Sequence, residues 1–159
     1  MARNPIIRFG TPDDEDELME IMYSYGMGLP GEIEEHLLLE EDHTVLGGCK
    51  VVCCGEGYYF LEVIGIKKER HKQGLGGLLL EKIVQKPWEC CATGEIREVS
   101  QTAYTVATIA RGEAVAFYRK YGFQPCEFEE IPEIYREQCN YCPEKESCQP
   151  VPMIYFGGQ

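Results

Sequence analysis

The stretch RHKQGLGGLLLEKIV, residues 70–84, sets a basic cluster and three glycines in front of an apolar run of helical period. A strand ending near Ile66, a glycine turn and then a helix would present several unpaired backbone N–H groups at the positive end of a helix dipole, which suits an anion. Glycine lets the backbone approach a phosphate and tolerates positive φ. Lys67, Lys68, Arg70, His71 and Lys72 crowd the same turn. Taken alone, the stretch also reads as a plain tight turn with solvated lysines. It is not the Walker pattern, since no Gly-Lys-Ser/Thr follows, and no acidic residue closes a βαβ unit at the distance a dinucleotide fingerprint needs.

A second chemistry-bearing stretch is CNYCPEKESC, which spaces Cys139, Cys142 and Cys148 as C-x2-C-x5-C in a polar, proline-bounded loop. Two thiolates across a turn can reach one zinc or iron–sulfur centre. Cys126, Cys90 or Cys91 could supply the missing ligand. A disulfide or redox pair, or inert thiols, are the other readings. The chain holds nine cysteines, an odd number, and begins MARNPIIRFG without an export signal. Reduced thiols or metal ligands therefore fit better than a disulfide framework.

The elements that must position these groups follow from pattern. At 159 residues the expectation is one domain spanning 1–159. A formal charge of −12 argues against a nucleic-acid surface, so an anionic ligand needs a local basic patch. No segment approaches the roughly 20 apolar residues of a membrane span, and a cytoplasmic protein is expected. PIIRFG suits a strand. Thr11, Pro12 and Asp14 open an amphipathic helix whose Leu18, Ile21, Met22 and Tyr25 share a face. A short helical piece and an antiparallel meander of three strands follow, with turns at residues 41–43 and 55–57. LLLEKIV reads as helix, and the segment from Lys86 to Ala110 as one strand with a long approach. RGEAVAFYRKYGF is a helix with Ala114, Phe117, Tyr118 and Tyr121 on one face and Gly122 as its cap. QPCEFEEIPE reads as an edge strand and VPMIYFGG as the last strand.

LEVIGIKKERHKQGLGGLLLEKI resembles the pyrophosphate-binding motif of the GNAT superfamily of acetyl-CoA-dependent N-acetyltransferases, Arg/Gln-x-x-Gly-x-Gly/Ala. AVAFYRKYGF is similar to that superfamily's second signature, Ala-x-x-Phe/Leu-Tyr-x-x-x-Gly-Phe, in the expected order and spacing. The resemblance runs from about residue 5 to 128. It implies an α/β (α+β) GNAT fold: a mixed, mostly antiparallel sheet of about seven strands flanked by helices, with the Cys-rich segment at about 132–150 as an insert beside the acceptor pocket. It further implies that Ile64, Gly65 and Ile66 pair with the pantetheine arm, with the amide of Ile64 near the oxyanion. Lys72, Gln73, Gly74, Leu75, Gly76 and Gly77 would surround the pyrophosphate, while Lys67, Lys68 or Arg70 meets the 3′-phosphate. His71 stands where Arg or Gln is usual, and Arg111 where Asn is usual. Arg111 is expected to reach a phosphate or to lie on solvated helix surface.

By the same resemblance Tyr118 protonates the leaving thiolate, and Glu62 accepts the amine's proton. Tyr118 also lies on an apolar helix face and reads equally as core. Glu62 could instead be salt-bridged or solvated. The implied activity is acetyl transfer from acetyl-CoA to a primary amine of a small molecule or peptide, in a ternary complex of a monomer or homodimer. The alternative is an acyl-CoA-binding or redox- or metal-sensing module with little catalysis. A longer acyl chain would differ only in pocket volume. Acidic segments such as EFEEIPE would suit a cationic amine.

Overall fold

The computed structural model describes residues 5–55, 57–70, 72–92, 103–143 and 145–158. Its sheet is built from β1 (Ile6–Phe9), β2 (His36–Glu41), β3 (Thr44–Gly55), β4 (Tyr58–Ile66), β5 (Tyr104–Ala110), β6 (Gln124–Pro125) and β7 (Val151–Gly157). The spatial order is β1-β2-β3-β4-β5-β7-β6. Every neighbouring pair is antiparallel except β4 and β5. The helices are α1 (Glu15–Tyr23), α2 (Leu75–Gln85), α3 (Val115–Lys120), α4 (Glu133–Asn140) and α5 (Lys145–Cys148). Among the described residues no helix is long and apolar enough to cross a membrane.

Alternation along β2 explains the layers. Leu37 and Leu39 join a core with Leu75, Leu79, Leu80 and Ile83 of α2 and Tyr118 of α3, whereas Leu38 faces the other way onto Leu18, Ile21 and Met22 of α1. A strand buried on both faces reads as an unbroken apolar run, as Leu37, Leu38 and Leu39 do. A third cluster sets Tyr135 of α4 and Ile131 against Phe60, Ala107 and Ile154. The expected edge strand at QPCEFEEIPE shrinks to β6, because Phe128–Glu130 form a 3-10 turn. The expected polar loop at the cysteines is α4 and α5. The approach to β5, residues 93–102, lies outside the described residues.

The start of α1 is fixed by charge. The Asp14 carboxylate accepts from the Thr11 amide at 2.8 Å and from Arg8 at 2.8 and 3.0 Å, and Arg8 also reaches Glu40 at 2.8 Å. The Arg8 hydrogen bonds hold the Asp14 carboxyl at about 2 and also lower Glu40. A carboxyl with a depressed folded-state value contributes stability above its unfolded value, near 3.8, and loses it as pH falls through about 2. Asp14→Asn is therefore expected to cost about 2 kcal/mol at pH 7, with the gap to wild type closing below about pH 3. Urea denaturation at both pH values checks this, and an equal deficit at both would refute the assignment.

Candidate active site

β4 and β5 pair only as far as Leu61 and Thr108. There the ladder to β3 slips: Val51 pairs Leu61 while Lys50 pairs Val63, leaving Glu62 as the extra residue of a bulge. A bulge raises twist and re-aims the side chain. Farther on, the Lys67 amide donates to the Leu46 carbonyl at 2.7 Å. Antiparallel alternation then turns the N–H and C=O of Ile64 and Ile66 away from β3, toward the gap where β5 no longer pairs. Tyr25 donates its hydroxyl to the Ile66 carbonyl. A cavity of about 900 Å³ fills this gap, and Glu62, Ile64, Gly65, Ile66, Lys72, Arg111 and Tyr118 all line it.

The N-terminus of α2 closes one end. Gly74 caps it at φ 78°, and Lys72 also takes a positive φ, 66°. The amides of Leu75, Gly76 and Gly77 have no acceptor within the helix, and all three residues line the cavity. The glycines divide the work. Gly74 is required by its backbone conformation, but a Cβ at Gly77 would sit 1.8 Å from the Tyr121 hydroxyl, so its bareness admits the aromatic face of α3. Arg70 is held by Glu41 at 3.1 Å and by Gln73 at 2.7 Å, while Lys67 and Lys68 line a separate cleft beside Glu17 and Glu20. His71 lies outside the described residues. Arg111 is half-buried and donates to the Tyr25 carbonyl at 2.9 Å, tying the loop after α1 to the end of β5.

Tyr118 rises from α3 into the same cavity, 6 % exposed. Burial pushes its phenol up to about 12, against a hydrogen bond with Thr108 that pulls the other way. The hydroxyl therefore carries its proton at neutral pH. Thr108, which pattern reading passed over, donates to the Leu61 carbonyl at 2.9 Å. It holds the last paired carbonyl of the splay and the phenol together.

Glu62 has both carboxylate oxygens engaged. Lys50 approaches Oε1 at 2.5 Å, and Tyr135 donates its hydroxyl to Oε2. The Tyr135 ring stacks on Phe60 with centroids 3.8 Å apart, and burial and Glu62 both raise its proton affinity. Neither partner was singled out from sequence. The available signal was Lys50 in the apolar run GGCKVVCC, since an isolated charge on a buried strand needs an opposite charge. Cys139 and Cys148 line the cavity from α4 and α5, whereas Cys142 is exposed and does not. Among the described residues no group of three or more His, Cys, Asp or Glu is placed to hold a metal ion. The expected zinc or iron–sulfur site at Cys139, Cys142 and Cys148 is thus not assembled, because two helices replace the turn that would have brought the thiols together. No disulfide links any of the nine cysteines.

A family model for the acetyltransferase (GNAT) domain matches residues 32–125. The fold is similar to that of N-acetylglutamate synthase from Neisseria gonorrhoeae, solved with coenzyme A and N-acetyl-glutamate. That likeness has a TM-score of 0.72 at 16 % identity, covering 98 % of this chain and 36 % of that one. The chain thus spans about a third of that relative's length. It is also similar to Ard1 from Thermoplasma volcanium, with TM-score 0.66, 15 % identity, and 96 % and 97 % of the two chains covered. A GNAT-family acetyltransferase from Staphylococcus aureus gives TM-score 0.64 at 13 % identity, over 96 % and 99 %. At these identities the likeness is one of fold. No curated protein matches the sequence.

Proposed function

The chain belongs to the GNAT acetyltransferase family, and from that premise we propose that it transfers the acetyl group of acetyl-CoA to a primary amine of a small molecule or peptide, by direct attack in a ternary complex. We take residues 1–159 as one domain, with α4 and α5 walling the acceptor side. The observation that carries the reading is the convergence on one cavity of an open strand edge, a helix N-terminus and a buried, protonated tyrosine. The residues fit the coenzyme: the edge at Ile64 and Ile66 suits an extended amide arm, and the α2 amides with Lys72 suit a pyrophosphate. When bound, acetyl-CoA supplies an activated thioester. The Ile64 N–H is the donor assigned to the developing oxyanion, Tyr118 gives its proton to the departing thiolate, and Glu62 takes one from the amine.

Calorimetry with acetyl-CoA, followed by amine-dependent release of free thiol, tests the reading. Saturable binding and release support it, and no binding would refute it. Cys139 and Cys148 on the cavity wall favour one specific rival, an acetyl-cysteine intermediate. Among the described residues no imidazole lines the cavity to activate a thiol, and an adjacent base is the usual activator of a nucleophilic cysteine. The intact mass of the protein is accordingly expected to stay unchanged after incubation with acetyl-CoA alone. Acetylation of either thiol, lost on addition of amine, would overturn direct attack.

A further inference from the structure

The acceptor end of the cavity has an unusual charge arrangement for a site that takes amines. The chain carries −12 overall, yet its cavity is lined by four basic side chains, Arg70, Lys72, Arg111 and Lys120, against two acidic ones, Glu62 and Glu113. Glu113 belongs to the turn that leads into α3, close in chain to Arg111 and the coenzyme side. Glu62 meets α4 through Tyr135, and its charge is already met by Lys50 at 2.5 Å. Lys50 is buried, and the chain closes over it: a Cβ at Gly31 would lie 2.9 Å from its Cε. Across the ladder His36 is fully buried and kept neutral by that burial. Tyr135 occupies the remaining carboxylate oxygen. The acidic EFEEIPE segment, expected to favour a cation, contributes no described residue to the cavity lining.

An ammonium entering this end meets a carboxylate whose charge is already spent on Lys50. Desolvating that ammonium without a counter-charge is costly. Amines differ in how often they arrive uncharged. The α-amino group of a peptide N-terminus, with a pKa of about 7.7–8.0, is roughly one-third neutral at pH 7.5, whereas a lysine ε-amine at about 10.4 is neutral about one time in a thousand. Resting on the transferase reading above, we infer that Lys50 and Tyr135 are specificity-determining residues that engage both carboxylate oxygens of Glu62 and so select the α-amine of a peptide N-terminus over ε-amines and polyamines. Both residues act through Glu62 and position it.

The test compares kcat/KM of the full chain with acetyl-CoA for four acceptors: a mixture of free amino acids without lysine, lysine-free peptides with open N-termini, an N-terminally blocked lysine peptide, and spermidine. The lysine-free peptides with open N-termini are expected to lead the other three by at least about tenfold, the scale of one lost charge contact. Tyr135→Phe keeps the stack on Phe60 but releases Oε2, so it is expected to shift the ratio toward spermidine by about tenfold. Lys50→Met should act in the same direction, and the Tyr135 variant carries the test if that protein does not fold. A lead for free amino acids, spermidine or blocked lysine in the wild type, or an unmoved ratio in Tyr135→Phe, overturns the assignment while leaving the transferase reading standing. Coenzyme binding with turnover of no amine defeats both.

Discussion

Replacing Tyr118 by phenylalanine is expected to lower kcat by about 10²–10⁴, the range for loss of a positioned general acid, with coenzyme affinity changed no more than a few-fold. The phenol is the one hydroxyl on α3 that is both buried and on the cavity wall, and its value of about 12 keeps the proton available until a thiolate forms beside it. Removing it deletes one hydrogen bond, with Thr108, at a stability cost of about 1 kcal/mol. Thr108 keeps its bond to Leu61, so the splay survives. Steady-state kinetics beside calorimetry separate the two effects. Unchanged kcat would reduce Tyr118 to a core residue, while lost binding would mean the ring shapes the coenzyme site. A protein with no turnover to lose would be the binding module instead.

The second large effect lies at the N-terminus of α2. Gly74→Glu is expected to weaken coenzyme binding by about 2–4 kcal/mol, from a carboxylate held roughly 4 Å from a phosphate at an effective dielectric near 20. The position takes φ 78°, and a Cβ added there would have nothing within 4 Å, so a side chain meets open space and the strain is in the backbone alone. Asparagine tolerates that conformation, which makes Gly74→Asn the control: it should bind within a few-fold of wild type. If the two variants bind alike, backbone geometry and not charge governs the site, and the anion assignment fails.

Much of this was legible in local pattern. Alternation and turn residues placed β1 to β4 and β7, and helical period with caps placed α1, α2 and α3, because those elements bury one face or are bounded by Thr11, Gly74 and Gly122. Of the motif stretch, Ile64, Gly65, Ile66, Lys72, Gly74, Leu75, Gly76 and Gly77 share one cavity with Tyr118, whereas Gln73 is not part of its lining. The cysteine segment misled because a C-x2-C spacing fits a turn or a helix equally, and polar residues conceal a short amphipathic helix whose Tyr135 joins the third core cluster.

The sequence by itself determined the fold class, the family and the glycine stretch that opens α2, since each rests on spacing within a few residues. Only the tertiary structure decided how the charges are satisfied. Glu62 meets Lys50 across a hairpin and Tyr135 from a helix 73 residues away, Thr108 joins Tyr118 to the splay, and Gly77 is bare for the sake of Tyr121. Those partners are distant in the chain, and a buried charge is indifferent to where in the sequence its counter-charge comes from. It needs only one within a few ångströms, and which residue supplies it is settled when the sheet splays and the helices close over it.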